Sequence, residues 1–206
     1  RLFSPGPRDN DVRREWGWGD RFVAMYAGAH GVVNRLEQLI DAAELLKERK
    51  EILIACVGDG GERSRLVAEA ARRGLDNITF HGPQPKDRMP DVVNASDAGV
   101  AVLQNNRMLR TVYPNKVFDY MACERPTLLA IDGVARELVC DEAQAGVFAE
   151  PENPRAIADA LVSLADNPAL CAEMGRRGRA WVIANATRES LAARYLTILE
   201  GLVRGE

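Results

Sequence analysis

The sequence predicts an α/β fold: a Rossmann-like, doubly wound parallel sheet of about six strands, followed by extra C-terminal helices. Three observations carry this. Short apolar runs ended by turn residues, such as FVAMYAG and ILIACVG, read as strands buried on both faces. Amphipathic helical stretches alternate with those runs, which requires parallel pairing through crossovers. The 206 residues suffice for one good-sized core and not for two large ones.

Residues 1–20, RLFSPGPRDNDVRREWGWGD, are rich in Pro, Gly and charge and read as a linker or lead-in. A short helix over Asp9–Glu15 is expected there, with Trp16 and Trp18 as packing anchors. Residues 21–206 form the domain. Its first strand ends at Gly28, and a helix over Val33–Arg49 follows, with Leu36, Leu39, Ile40, Ala43 and Leu46 on one stripe. Strands at Ile52–Val57, Ile78–Phe80 and Ala98–Leu103 alternate with helices at Glu62–Arg73 and Lys86–Asn94. A helix opened by Pro114, a strand at Thr127–Ile131, a helix over Val134–Cys140 and a strand at Gly146–Phe148 complete the sheet. The remainder is helical: one stripe carries Ile157, Ala160, Leu161 and Leu164, and a second helix runs over Pro168–Ile183. A last helix sets Leu191, Tyr195, Ile198 and Leu202 on a single face.

Composition narrows the function. A net charge of −3 argues against nucleic acid as the main partner. The cysteines Cys56, Cys123, Cys140 and Cys171 fall in no ligand-like spacing and read as reduced, mostly buried thiols of a cytoplasmic protein. No apolar run approaches membrane-spanning length, and no His/Asp/Glu cluster has metal-ligand spacing. A nucleophile elbow, a Walker loop and a paired-carboxylate motif are all missing.

The chemistry concentrates in Tyr113-Pro114-Asn115-Lys116-Val117-Phe118-Asp119-Tyr120-Met121-Ala122. Pro114 sits where a helix would begin, since its fixed φ suits the first position and its missing N–H costs nothing there. The amides of Asn115, Lys116 and Val117 then become orphan donors at a helix N-terminus, where the dipole favours an anion. Lys116 sets a cation against that dipole, an arrangement that makes sense with a phosphate between them. Asp119, one turn on, offers a carboxylate suited to a pair of hydroxyls. A Pro-started helix with a solvated Lys and Asp accounts for the same residues.

The run PNKVFDYMACERPTLLA resembles the donor-site segment of the group 1 (retaining, GT-B fold) glycosyltransferases, and the similarity extends from about Phe22 to the C-terminus. That resemblance implies that the helix start holds a nucleoside diphosphate and that Asp119 binds the ribose. It also implies that residues 1–20 lead in from a missing N-terminal domain carrying the acceptor site, so that this piece alone does not turn over. Ligands of open α/β sheets bind at the carboxyl ends of the strands, so the loops there belong together. Gly28, His30 and Gly31 run toward a helix and offer backbone to the diphosphate. Members of the family often carry Arg and Lys in that loop, and their absence here puts more weight on Lys116. Gly58 resembles the turn beside the nucleotide, while Gly82 and Gln84 fall in the loop that reads the base, with Gln84 able to donate and accept. In the long break before the central helix, Arg107 and Arg110 are candidates to face the diphosphate. Many members carry a spaced pair of acids: the second matches Asp119, and the first falls on Thr111, leaving a hydroxyl at the sugar. Lys116 and Thr111 are thus the expected catalytic residues.

The implied function is donor binding in a retaining transfer of sugar from a nucleotide-sugar, UDP-sugar first, to a glycan or lipid-linked acceptor. No cofactor or metal is called for. The resemblance admits peripheral association of the intact enzyme with the inner face of a membrane. A non-catalytic nucleotide-binding module and a fragment of a GT-B-type sugar-nucleotide epimerase are the competing readings.

Overall fold

The computed structural model describes residues 3–204. In chain order these are α1 (Asp11–Glu15), β1 (Phe22–Ala27), α2 (Glu37–Leu45), β2 (Ile52–Val57), α3 (Arg63–Arg72), β3 (Ile78–His81), α4 (Met89–Asn94), β4 (Ala98–Val102), α5 (Asn115–Ala122), β5 (Thr127–Ala130), α6 (Val134–Arg136), β6 (Gly146–Phe148), α7 (Pro154–Ala165), α8 (Pro168–Asn185) and α9 (Arg188–Arg204). Two 3-10 turns, Val32–Asn34 and Arg107–Thr111, interrupt loops, and α6 continues as a π-helical turn over Glu137–Glu142. The six strands pair in the order β3-β2-β1-β4-β5-β6, and every pair is parallel. The doubly wound sheet predicted from the alternating pattern is thus present. Among the described residues, no helix is long and apolar enough to cross a membrane.

Alternation along β1 divides the core. Ala24 and Tyr26 face a cluster with Leu36, Leu39 and Ile40, which α7 closes through Ile157 and Leu161. Val23 and Met25 face the other side, against Val92, Val93 and Tyr120. Each such fully buried aliphatic side chain stabilises the fold by about 2 kcal/mol. Tyr120 has a second task. Its hydroxyl accepts the Ala27 amide at 2.9 Å and donates to the Val100 carbonyl at 3.3 Å, so α5 is pinned to β1 and β4 together. The ring lies so close to β4 that a Cβ on Gly99 would stand 2.1 Å from it. Gly99 therefore decides where α5 sits.

Three expectations are corrected here. The helix expected over Val33–Arg49 starts only at Glu37. The β-branched pair Val32–Val33 resists helix, Arg35 turns left-handed (φ 50°), and the Val33 carbonyl is taken by the Gln104 amide at 2.8 Å. Its stripe Leu36, Leu39, Ile40, Ala43 and Leu46 is nevertheless buried as predicted. The first helix starts at Asp11 rather than Asp9, because the Asn10 side chain accepts the Arg13 amide and caps it. The lead-in is not a loose linker: Trp18 is fully buried, and the buried Arg13 bonds the Ala95 and Gly19 carbonyls and pairs with Asp97 at 3.3 Å. On α9, the predicted face of Leu191, Tyr195, Ile198 and Leu202 stays exposed.

Candidate functional site

The strand order reverses between β1 and β4, so the crossovers leaving their carboxyl ends diverge and open a crevice. A cleft of about 570 Å³ lies there. Its wall is built from the chain after β1 (Gly28), after β2 (Gly58), after β3 (Pro83, Gln84, Lys86) and from α5 with its approach (Val112, Pro114, Asn115, Lys116, Asp119).

Helix α5 points its N-terminus into this cleft. Pro114 has φ −67° and ψ 126°, so it is the capping residue and not the first helical one. The Val117 amide reaches back to the Pro114 carbonyl at 3.1 Å, and the Val117 side chain is fully buried. Val117 is thereby withdrawn from the ligand-binding set, and the amides of Asn115 and Lys116 remain as the free donors of the helix start. The Lys116 side chain crosses the mouth of β1. Its Nζ lies 3.7 Å from the centroid of the Tyr26 ring, a cation–π contact, and makes no ion pair among the described residues. Gly28 permits this crossing, because a Cβ there would stand 2.9 Å from the Lys116 Nζ; its φ of +147° also suits glycine. Gly58 is similarly fixed: a Cβ would meet the Gly28 carbonyl oxygen at 2.0 Å.

Two charged groups in this cleft are displaced from their ordinary titration. Burial pushes the Lys116 ammonium down to about 7. Burial likewise pushes the Asp119 carboxyl up to about 6, and the nearby Lys86 charge works against that rise. A partly desolvated cation and anion, one helical turn apart and without a mutual ion pair, form a site short of its counter-charges.

Other predicted residues do not reach the cleft. The His30 imidazole is fully buried with neither ring nitrogen hydrogen-bonded among the described residues, and burial lowers its pKa. What His30 supplies is backbone: its amide donates to the Asp59 carbonyl at 2.8 Å and its carbonyl accepts Glu62 at 2.9 Å, stitching the loops after β1 and β2 together. Gly31 caps the 3-10 turn behind it, and Gly82 gives its carbonyl to Gln84 rather than lining the cleft. Thr111 is exposed with its hydroxyl donated to the Met108 carbonyl at 2.9 Å, because the 3-10 turn folds it back on its own loop. Arg107 is exposed on the same turn, and Arg110 pairs with Asp132 at 3.4 Å. His81 ends β3, where it stacks on Trp16 with centroids 3.9 Å apart. Sequence reasoning missed Tyr26, which lies under Lys116, and Asn34 and Lys86, which line the cleft. Only Lys86 left a signal, a charge two residues past Gln84 in the loop expected to read the base. Among the described residues, no group of three His, Cys, Asp or Glu side chains is placed to hold a metal ion.

Residues 9–181 match the family model of the group 1 glycosyl transferases. The chain belongs to that family. Escherichia coli WcaI, named for glycosyl transfer in colanic acid biosynthesis, is 32% identical over 100 residues, covering 48% of this chain and 24% of its own. The alpha-D-kanosaminyltransferase of Streptomyces kanamyceticus is 26% identical over 79% of this chain and 41% of its own. This group 1 chain thus spans less than half the length of those curated relatives. Anabaena HepE, solved in complex with UDP-glucose, superposes with a TM-score of 0.80 at 18% identity, over 98% of this chain and 54% of that one. The C-terminal domain of the group 1 family protein LpcC from Francisella tularensis gives 0.73 at 19% identity, over 91% of this chain and 97% of that domain. These likenesses establish the Rossmann-like fold of the chain, one half of a GT-B architecture.

Proposed function

We propose that this chain is the donor-binding part of a retaining glycosyltransferase that takes sugar from a nucleotide-sugar, UDP-sugar first. The observation that carries the reading is Lys116: a desolvated ammonium without an ion pair, held at the N-terminus of α5 where two free amides converge. A diphosphate supplies the missing negative charge. Asp119, one turn further, accepts from the ribose hydroxyls, and the chain after β3 meets the base. HepE, similar in fold, was solved with UDP-glucose, which supports a nucleotide-sugar as the donor.

The hard step is heterolysis of the bond between the anomeric carbon and the diphosphate oxygen. Charge accumulates on the leaving diphosphate, and an ammonium plus helix amides aimed at it stabilise the transition state; one such donor is worth about 3 kcal/mol. Protonated Lys116 is the working form, and the incoming anion itself draws the proton on. Thr111 donates its hydroxyl to the Met108 carbonyl of its own loop, so on this reading the donor sugar is held by other groups. The acceptor, a glycan or a lipid-linked sugar, binds to the part of the longer relatives that this chain does not span, and turnover requires that part.

Thermal unfolding with UDP-glucose tests the reading. At a hundred times its Kd the ligand adds about 2.7 kcal/mol of stability and raises Tm accordingly. Lys116→Ala or Asp119→Ala removes the rise. Absence of any shift with uridine and guanosine diphosphates in the unmodified chain would overturn it.

A further inference from the structure

The chain after β3 holds a side-chain amide whose orientation is dictated from outside the cleft. Gln84 lines the cleft. Its Oε1 accepts from Arg88 Nη1 at 3.0 Å, and its Nε2 donates to the Gly82 carbonyl at 3.2 Å. An amide is ambiguous in shape, but these neighbours are not: a guanidinium only donates and a carbonyl only accepts, so both require the same orientation. One lone pair of the Gln84 oxygen is thereby turned to Arg88, which fixes the order of oxygen and nitrogen, and one N–H of the amide is left to meet a ligand. Lys86, on the same wall, is also a donor-only group.

Arg88 is itself anchored. It pairs with Glu15 at the end of α1, and its guanidinium lies 5.8 Å from the ring of Trp16. Trp16 in turn stacks on His81, whose carbonyl receives the Gly58 amide at 3.1 Å. The lead-in therefore braces the wall where a base would lie.

We infer that Arg88, held by Glu15, locks the Gln84 amide so that the cleft presents a hydrogen-bond donor, and that the site consequently selects nucleobases with a keto oxygen on the edge facing Gln84 over those with an amino group there. This rests on the nucleoside-diphosphate reading above and adds the base class and the residue that sets it. Arg88 is a positioning residue, since it acts through Gln84.

UDP carries a keto oxygen where CDP carries an amino group, with the adjoining ring nitrogen a donor in UDP and an acceptor in CDP, so they are the probes. Calorimetric titration of this chain is expected to give UDP a preference of about tenfold over CDP, the value of one hydrogen bond made or left unmade. Gln84→Glu, which turns the group into a pure acceptor, abolishes the preference or reverses it. Arg88→Met frees the amide to rotate and brings the ratio toward one, while Arg88→Lys, keeping a donor on Oε1, retains most of it. Loss of packing alone would weaken both nucleotides equally and leave the ratio unmoved, which would overturn the inference. So would equal affinity for UDP and CDP in the unmodified chain. Failure of the unmodified chain to bind either nucleotide would instead overturn the donor reading, and this inference with it.

Discussion

The affinity for UDP-glucose should trace a bell against pH, and its two limbs belong to named residues. UDP-glucose is the suitable probe, because its diphosphate diester keeps its charge across the neutral range. In the free chain the Lys116 ammonium titrates at about 7 and the Asp119 carboxyl at about 6. An adjacent diphosphate returns Lys116 toward its ordinary range, so above pH 7 binding must be accompanied by proton uptake. On the Lys116 account alone, affinity is independent of pH below 7 and falls about tenfold for each unit above it, or about 1.4 kcal/mol. For Asp119 the sign reverses: the carboxylate is the form that accepts hydroxyls, so affinity falls as pH drops below 6. Titrations in two buffers of different ionisation enthalpy should show about one proton taken up per nucleotide at pH 8. Affinity that stays constant from pH 6 to pH 9 would refute the assignment of Lys116 as the diphosphate's counter-charge.

The site has a cost to the empty fold, and Lys116→Met should reveal it. Below its unfolded pKa the folded chain holds a desolvated amine whose proton is bound more weakly than in the unfolded chain, so its removal should raise the ligand-free Tm at pH 7 by about 3 °C per kcal/mol recovered, while abolishing the shift with UDP-glucose. Gly99→Ala should displace the Tyr120 ring that lies 2.1 Å from the new Cβ; about 3 kcal/mol of stability and a Tm lower by about 10 °C are expected by calorimetry. Thr111→Ala should change UDP-glucose affinity less than about twofold, since only a loop bond to Met108 is lost and surface changes of this kind stay within about 0.5 kcal/mol.

Much of the fold was legible because strand and helix periods switch cleanly along the chain, and each of the six predicted strands is present. Where the reading slipped, a distant partner intervened. The Val33 carbonyl is claimed by Gln104, seventy-one residues on, and so the helix after β1 starts late. The site was legible in its charges: Lys116 and Asp119 stand on one cleft as their spacing on a Pro-started helix suggested. It was not legible in its clearances. That Gly28 makes room for the Lys116 side chain, that His30 points inward, and that Thr111 folds onto its own loop all depend on side-chain directions set by packing. Val117 was assigned an amide contact as an orphan donor of the helix start, but with Pro114 as the cap its amide turns back to the Pro114 carbonyl at 3.1 Å. The lead-in, read as a linker from its Pro, Gly and charge, is anchored by Trp18 and Arg13, whose partners near Asp97 no local pattern announces.

A crystal structure of this chain with UDP-glucose would test the central claim most directly. The expected density places the diphosphate oxygens within hydrogen-bond reach of the Lys116 Nζ and of the Asn115 and Lys116 amides, with the ribose over Asp119. A diphosphate bound elsewhere, or a Lys116 still lying over Tyr26 with the nucleotide in place, would contradict it.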